Sequence, residues 1–274
     1  RVAARLTDAQ APGAARLVRE MAAVPGRGDG WPGRLLARMA RLDLLAQAAE
    51  RMDALPEPVA ADVRAALGWT ARQDEVLASG SAERDAWTVL GTRTEAEEAL
   101  RVQRTWLRGE RTGRTALLLA FAAAGQPMEP APAPGTRLDA ELVFYAGNLP
   151  QRALVRERFG APEPAAALPD AGSADDALGA WADVLRRNPW TERIAVVLGG
   201  VVPARGEDGG WMMRDADGAA LPLARVAEPA AWMMLAVAGG RPADVAAEWD
   251  GDALLPLGMV ADGRYLVLPA GGAT

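Results

Sequence analysis

The chain has 274 residues, half of them hydrophobic, and a net charge of −6, which suffices for one large domain or two to three small ones. All 30 basic residues are arginines, and there is no Cys, His or Lys. Those absences exclude disulfides, thiol nucleophiles, thiolate or imidazole zinc sites, a histidine general base, a phosphate-loop lysine and a Schiff base. The acidic balance argues against a general nucleic-acid binder.

Residues 1–85 read as helical. In "WPGRLLARMARLDLLAQAAERM", Pro32 suits a first helical turn. Leu35, Met39, Leu42, Ala46 and Ala49 recur at spacings of three and four, which puts them on one face. Arg34, Arg38 and Arg41 form a second stripe, expected to be a solvated face or a partner-binding one. "PEPVAADVRAALG" is a shorter helix stopped by Gly68, and "ARQDEVLAS" is another.

Residues 86–160 change character. "RVQRTWLRGERTGRTALLLAFAAAG" predicts a hairpin around the polar loop Gly109–Gly113. Its second arm, Ala116–Ala122, is apolar on both faces, as a buried strand would be. The proline-rich "QPMEPAPAPG" is a connector, and "AELVFYAG" is a strand.

Residues 161–192 form a Pro/Gly/Ala-rich linker and one helix, about Ala174–Arg187, ended by Pro189. Residues 193–274 read as a β-meander that includes "WMMLAVAGG". Turn signals fall at Asp208-Gly209, Asp217-Gly218, Gly239-Gly240, Asp250-Gly251 and Asp262-Gly263. Gly239-Gly240 is expected to be a turn, because no GxGxxG or Lys accompanies it. The fold class is therefore α+β: a helical N-terminal region, then β-rich meander or small barrel-like units with one intervening helix.

The apolar runs Ala116–Ala124 and Ala230–Ala238 fall well short of the ~20 residues that span a bilayer. Arg1 opens a polar stretch without a signal peptide, and the chain does not start with Met, as expected of a processed chain or a piece of a longer one. A cytoplasmic location and no membrane partner are the expectation.

Several stretches carry a resemblance: "LTDAQAPGAARLVREM", "DAWTVLG", "QRTWLRGERTGRTALLLAF", "AELVFYAGNLPQRALV", "WMMRDADGAALPLA" and "LAVAGGRPADVAAEWDGDALLPLGM". In this order they resemble the region downstream of the zinc finger in bacterial SWIM zinc finger family proteins. The family's CxC…CxH motif is absent, so no zinc ligand carries over. The resemblance implies binding of protein or nucleic acid without catalysis. It also implies gene neighbourhood with MoxR-type AAA+ ATPases and von Willebrand factor A proteins.

Charge is distributed unevenly. Residues 1–51 hold nine Arg against five acids, and residues 100–160 also hold nine against five, within an otherwise acidic chain. Arg101, Arg104, Arg108, Arg111 and Arg114 surround Trp106 on the hairpin. Such a surface could hold a protein or stack on single-stranded nucleic acid, or it could be a charged edge over a core tryptophan. The pairs Asp215/Asp217 and Asp250/Asp252 could bind a cation or act as acid and base, but Asp-Gly is also a common hairpin turn. The reading adopted is a scaffold or interaction module with no cofactor, metal or catalysis. Nucleic-acid binding through the hairpin and a carboxylate-based, metal-dependent enzyme are the alternatives.

Overall fold

The computed structural model describes residues 1–26, 30–69, 71–97 and 100–269. Residues 27–29, 70, 98–99 and 270–274, which fall in the expected helical, hairpin and meander regions, lie outside the described residues. The chain sorts into two compact units. One comprises residues 1–80, 145–150 and 184–191; the other comprises residues 81–144, 151–183 and 192–274.

The first unit is helical: α1 (Val2–Asp8), α2 (Pro12–Met21), α3 (Trp31–Glu50), α4 (Glu57–Leu67) and α5 (Gln73–Ser79). Prolines open α2, α3 and α4 within their first two residues, where a missing N–H costs nothing. Leu45, Val63, Leu67, Ala11 and Ala14 form the core, with Leu42, Ala48, Ala49 and Trp190 packed against it. This shifts the buried stripe of α3 from the expected one. Leu42 and Ala49 pack inward as read, but Met39 and Ala46 are exposed and Leu45 takes the central position. The helix is apolar around much of its circumference, so spacing alone could not choose the face.

The short segments 145–150 and 184–191 belong to this helical unit. Asn148 donates its backbone N–H to the buried Asp62 carboxylate on α4 at 3.0 Å, and its side-chain amide to the Arg187 carbonyl at 2.8 Å. The Trp190 indole donates to the Arg41 carbonyl at 3.3 Å.

The second unit holds two antiparallel sheets. The first contains β1 (Ser81–Glu97), β2 (Leu100–Gly109), β3 (Thr115–Ala123), β4 (Thr136–Phe144) and β5 (Ala153–Arg158) in the order β3-β2-β1-β4-β5, with the short β6 (Glu163–Pro164) on β4. It curls around Trp87, Leu107, Leu142 and Phe144, and its two ends meet at one bridge, Leu117 with Arg152. This is the barrel-like unit expected, with the hairpin β2–β3 as read. Strand β3, however, is an edge strand, with Phe121 51% exposed. Leu118 packs on the barrel core and Leu117 on the core between the sheets, but the strand is only half-buried beyond them, so its apolar run does not mark full burial along its length. Strand β1 begins inside the stretch read as helical. Its "SAERDAWTVLGTRTEAE" is rich in charge and Ala, and pairing with β2 and β4 makes it a strand.

α6 (Ala174–Arg187) lies where the sequence placed it. The second sheet orders β7 (Ile194–Arg205), β8 (Trp211–Arg214), β9 (Ala220–Pro222), β10 (Ala243–Trp249), β11 (Leu254–Ala261) and β12 (Arg264–Val267) as β12-β11-β10-β7-β8-β9. Four of the five turn signals close its hairpins. The fifth differs: "EPAAWMMLAVA" is the helix α7 (Glu228–Ala238) rather than a strand, and Gly239 ends it in the left-handed conformation at φ 60°. A short apolar run with no alternation suits either state, and Pro229 in the first turn favours helix. Chain after Gly240 enters β10, so Gly239-Gly240 is a turn with no helix N-terminus behind it. Leu90 and Trp106 from the first sheet and Ala195, Val197, Ala246 and Leu257 from the second build the core between the sheets. No helix among the described residues is long and apolar enough to cross a membrane.

Candidate functional site

On β2, side chains alternate between faces, so Arg104, Trp106 and Arg108 share one face and Arg101 lies on the other. The shared face turns toward the second sheet. Trp106 is only 1% exposed and donates its indole N–H to Glu248 at 2.7 Å, so it offers no ring for a partner to stack on. Arg104 pairs with Glu95 at 2.6 Å. Arg108 pairs with Asp170 at 3.0 Å and donates to the Thr115 hydroxyl at 2.8 Å.

The remaining hairpin arginines also have partners within the unit, although Arg111 stays exposed. Arg111 donates to the Arg84 carbonyl at 3.0 Å. Arg114 pairs with Glu83 at 2.8 Å and lies 3.3 Å over the Phe144 ring. Arg101 donates to the Gln126 carbonyl. The loop is locked from below by Asp85, which accepts the Arg111 and Thr112 N–H groups and the Thr112 hydroxyl. Burial pushes the Asp85 carboxyl up, but these donors outweigh it and leave the group below its ordinary value.

Around Trp106 the structure assembles a cluster that sequence reading missed. Glu248 on β10 is 2% exposed and lies 3.4 Å from Arg193 and 3.9 Å from Arg93. Glu95 takes Arg93 at 2.6 Å and Arg193 at 3.2 Å besides Arg104. Burial raises the Glu95 carboxyl, and Arg193, Arg93 and Arg104 more than reverse it, so the net displacement is downward. Three guanidinium groups thus face two carboxylates, and the charges tie β1 and β2 to β10 and to Arg193, the residue before β7. The sequence signal was Glu248, an acid set between apolar residues near the end of a strand.

The aspartate pairs divide. Asp215 is buried and accepts the N–H of Ala174, the first residue of α6, at 3.0 Å, which supplements the local cap in which Ser173 accepts the Asp176 N–H at 3.1 Å. Asp217 is exposed. Asp250 accepts the N–H groups of Asp252 and Ala253 at 2.9 and 2.8 Å, which makes it the organiser of its own turn. Among the described residues, no group of three or more acids is placed to hold a metal ion. A shallow depression of about 590 Å³ lies over Arg84, Asp85, Glu110, Arg111 and Asp139, where Arg84 and Asp139 pair at 2.8 Å.

In the helical unit Arg34, Arg38 and Arg41 are half-buried on the side of α3 that carries Leu45, not on an outer solvated face. Arg38 reaches Glu20 at 3.5 Å. The outward side of α3 carries apolar side chains beside polar ones: Leu36 is 68% and Met39 55% exposed, Leu44 is exposed, and Gln47 donates to Asp43 at 2.7 Å among them. A second surface cluster lies on α7 and β8. Exposed Trp232 meets Trp211 edge-on at 5.1 Å, and Glu228 accepts from both indoles at 3.3 Å and from Arg205 at 3.0 Å. The Trp211, Trp232 and Arg205 donors hold the Glu228 carboxyl below its ordinary value.

No curated protein and no solved structure matches the chain. Helices α1–α4 are four in number and lie within residues 1–67. Those residues match the model of the SWIM-associated four-helix bundle domain, as a region of a SWIM-family protein would.

Proposed function

We propose that the chain is a non-catalytic interaction module of a bacterial multi-protein assembly, whose helical unit takes an acidic amphipathic helix of a protein partner. The observation that carries this reading is the outward side of α3, where Leu36, Met39 and Leu44 are left in water. Several large apolar side chains grouped on one exposed side of a helix and rimmed by polar residues can mark a contact surface. The segment bearing them holds nine arginines against five acids, which suits an acidic partner helix whose apolar side lies on α3. The resemblance to the SWIM family nominates the partners: a MoxR-type AAA+ ATPase or a von Willebrand factor A protein. The hairpin arginines favour nucleic acid less, because their acid and carbonyl partners engage them and Trp106 is buried.

The test is a calorimetric titration of the chain with each of those two proteins from the same gene neighbourhood. One of them is expected to bind. Leu36→Glu with Met39→Glu should weaken that binding at least about tenfold, roughly 1.4 kcal/mol. Folding should be almost unchanged, since exposed substitutions usually cost under about 0.5 kcal/mol each. Binding by neither protein, or equal binding by the double variant, sinks the reading.

A further inference from the structure

Strand β3 ends the first sheet, and its free side is unusual in composition. From Thr115 through Met128 there is no charged residue, and "TALLLAFAA" is apolar but for its first position. Edge strands in stable proteins usually carry a charge, a proline or a bulge that discourages pairing with another strand. β3 carries none of these: its register with β2 runs unbroken from Leu100↔Ala123 to Arg108↔Thr115.

The direction of its backbone groups can be read from that register. The Leu117 N–H points away from β2, because it donates to the Gln151 carbonyl at 2.7 Å. In an antiparallel ladder every second residue points the same way, so the N–H and C=O groups of Leu119 and Phe121 also face outward. The two ends of the sheet meet at Leu117, on Gln151 and Arg152 just before β5, and no further bridge joins them among the described residues. Among the described residues no strand or turn bonds to those outward groups of Leu119 and Phe121. Phe121, at 51% exposed, stands beside them.

We infer that the outer half of β3 is a strand-pairing surface for a second copy of this chain, joined antiparallel about a two-fold axis at Ala120. In that register Leu119 of one copy lies opposite Phe121 of the other, and the reverse. The four outward backbone groups of each copy are then all satisfied, by four main-chain hydrogen bonds across the axis. Side chains of Leu119 and Phe121 on the same face of the extended sheet cover one another. A second copy fits better than another peptide because the row is self-complementary. It brings no charge to the axis, and Ala120 opposite Ala120 leaves room for close approach. Among the described strands β3 is the one edge of this kind, so the pairing closes as a dimer and does not propagate. The surface is separate from α3 and independent of the function proposed for it.

Sedimentation velocity of the full chain, up to about 1 mM, tests this against the weak end of specific association. A monomer–dimer equilibrium is expected, little changed between about 0.1 and 1 M salt, because no charges meet at the axis. Leu119→Pro removes one outward donor and spares the β2 ladder, while Phe121→Lys puts a charge on the edge. Each should weaken dimerisation at least tenfold without changing the far-ultraviolet circular dichroism. Leu36→Glu should leave the dimer intact. A chain that stays monomeric overturns the inference, whatever extended peptides it binds. So does a dimer that survives both β3 variants, one abolished by Leu36→Glu or by salt, or open-ended assembly beyond the dimer.

Discussion

Asp62 sits on α4 inside the helical unit, reached by the Asn148 backbone N–H at 3.0 Å. Burial raises its pKa from 3.8 to about 6, and the Asn148 and Asn188 hydrogen bonds offset only part of that rise. With the folded value above the unfolded one, the stability linked to its proton is present below about pH 4 and is lost as the pH rises through about 6. Ionised Asp62 at neutral pH therefore costs on the order of 2–3 kcal/mol. Asp62→Asn should stabilise the helical unit at pH 7.5 by about 2 kcal/mol. It should also remove the gain in stability expected of the native chain between pH 7.5 and 5. Urea unfolding at the two pH values checks this; a variant less stable than the native chain at pH 7.5 contradicts it. Nothing in "AADVRAA" announces a buried charge, because a single Asp on a helix is ordinarily a surface residue.

At the scale of elements, caps and pairing partners decided what composition left open. The α6 boundaries were legible because "SADD" begins an amphipathic run that Pro189 stops. Its local cap was legible too, since Ser173 accepts the Asp176 N–H and Asp176 accepts the Ser173 N–H, but the acceptor for the Ala174 N–H was not, because Asp215 arrives from a hairpin 41 positions along the chain. Asp215→Ala should expose the Ala174 N–H and cost about 1 kcal/mol, seen as faster amide exchange in the first turn of α6. Asp217→Ala, on the same turn but exposed, should change little. Equal effects of the two substitutions would argue that the pair acts together, as a cation site would. α7 shows the converse. Its apolar run was read as a strand among hairpins, yet Pro229 and Gly239 bracket a helix whose Met234, Ala230 and Ala231 are buried. Short runs without alternation carry no period to separate the two states.

On the scale of the whole molecule, the two units have separate cores, one around Leu45 and Val63 and the other around Trp87 and Trp106. Glu248 belongs to the second. Glu248→Ala leaves Arg93 and Arg193 facing Glu95 alone and strands the Trp106 indole, at a cost of about 3–5 kcal/mol. Hydrogen exchange should show both sheets loosening together while α2–α4 keep their protection; loosening confined to β10 would mean the cluster does not join the sheets. The sequence by itself determined the order of helical and β-rich regions, the hairpin, α6, four hairpin turns and the inability to build Cys, His or Lys sites. These follow from local periodicity, Gly and Pro chemistry and composition, which need only neighbouring residues. Tertiary structure alone decided that α3 buries Leu45 and exposes Met39, that Trp106 is core, and that the hairpin arginines turn to Glu95, Asp170 and Glu83. It alone also left the outer side of β3 open. Those outcomes depend on which distant strand or helix lies opposite, because burial and ion pairing are set by partners far along the chain and not by the spacing of a residue's own neighbours.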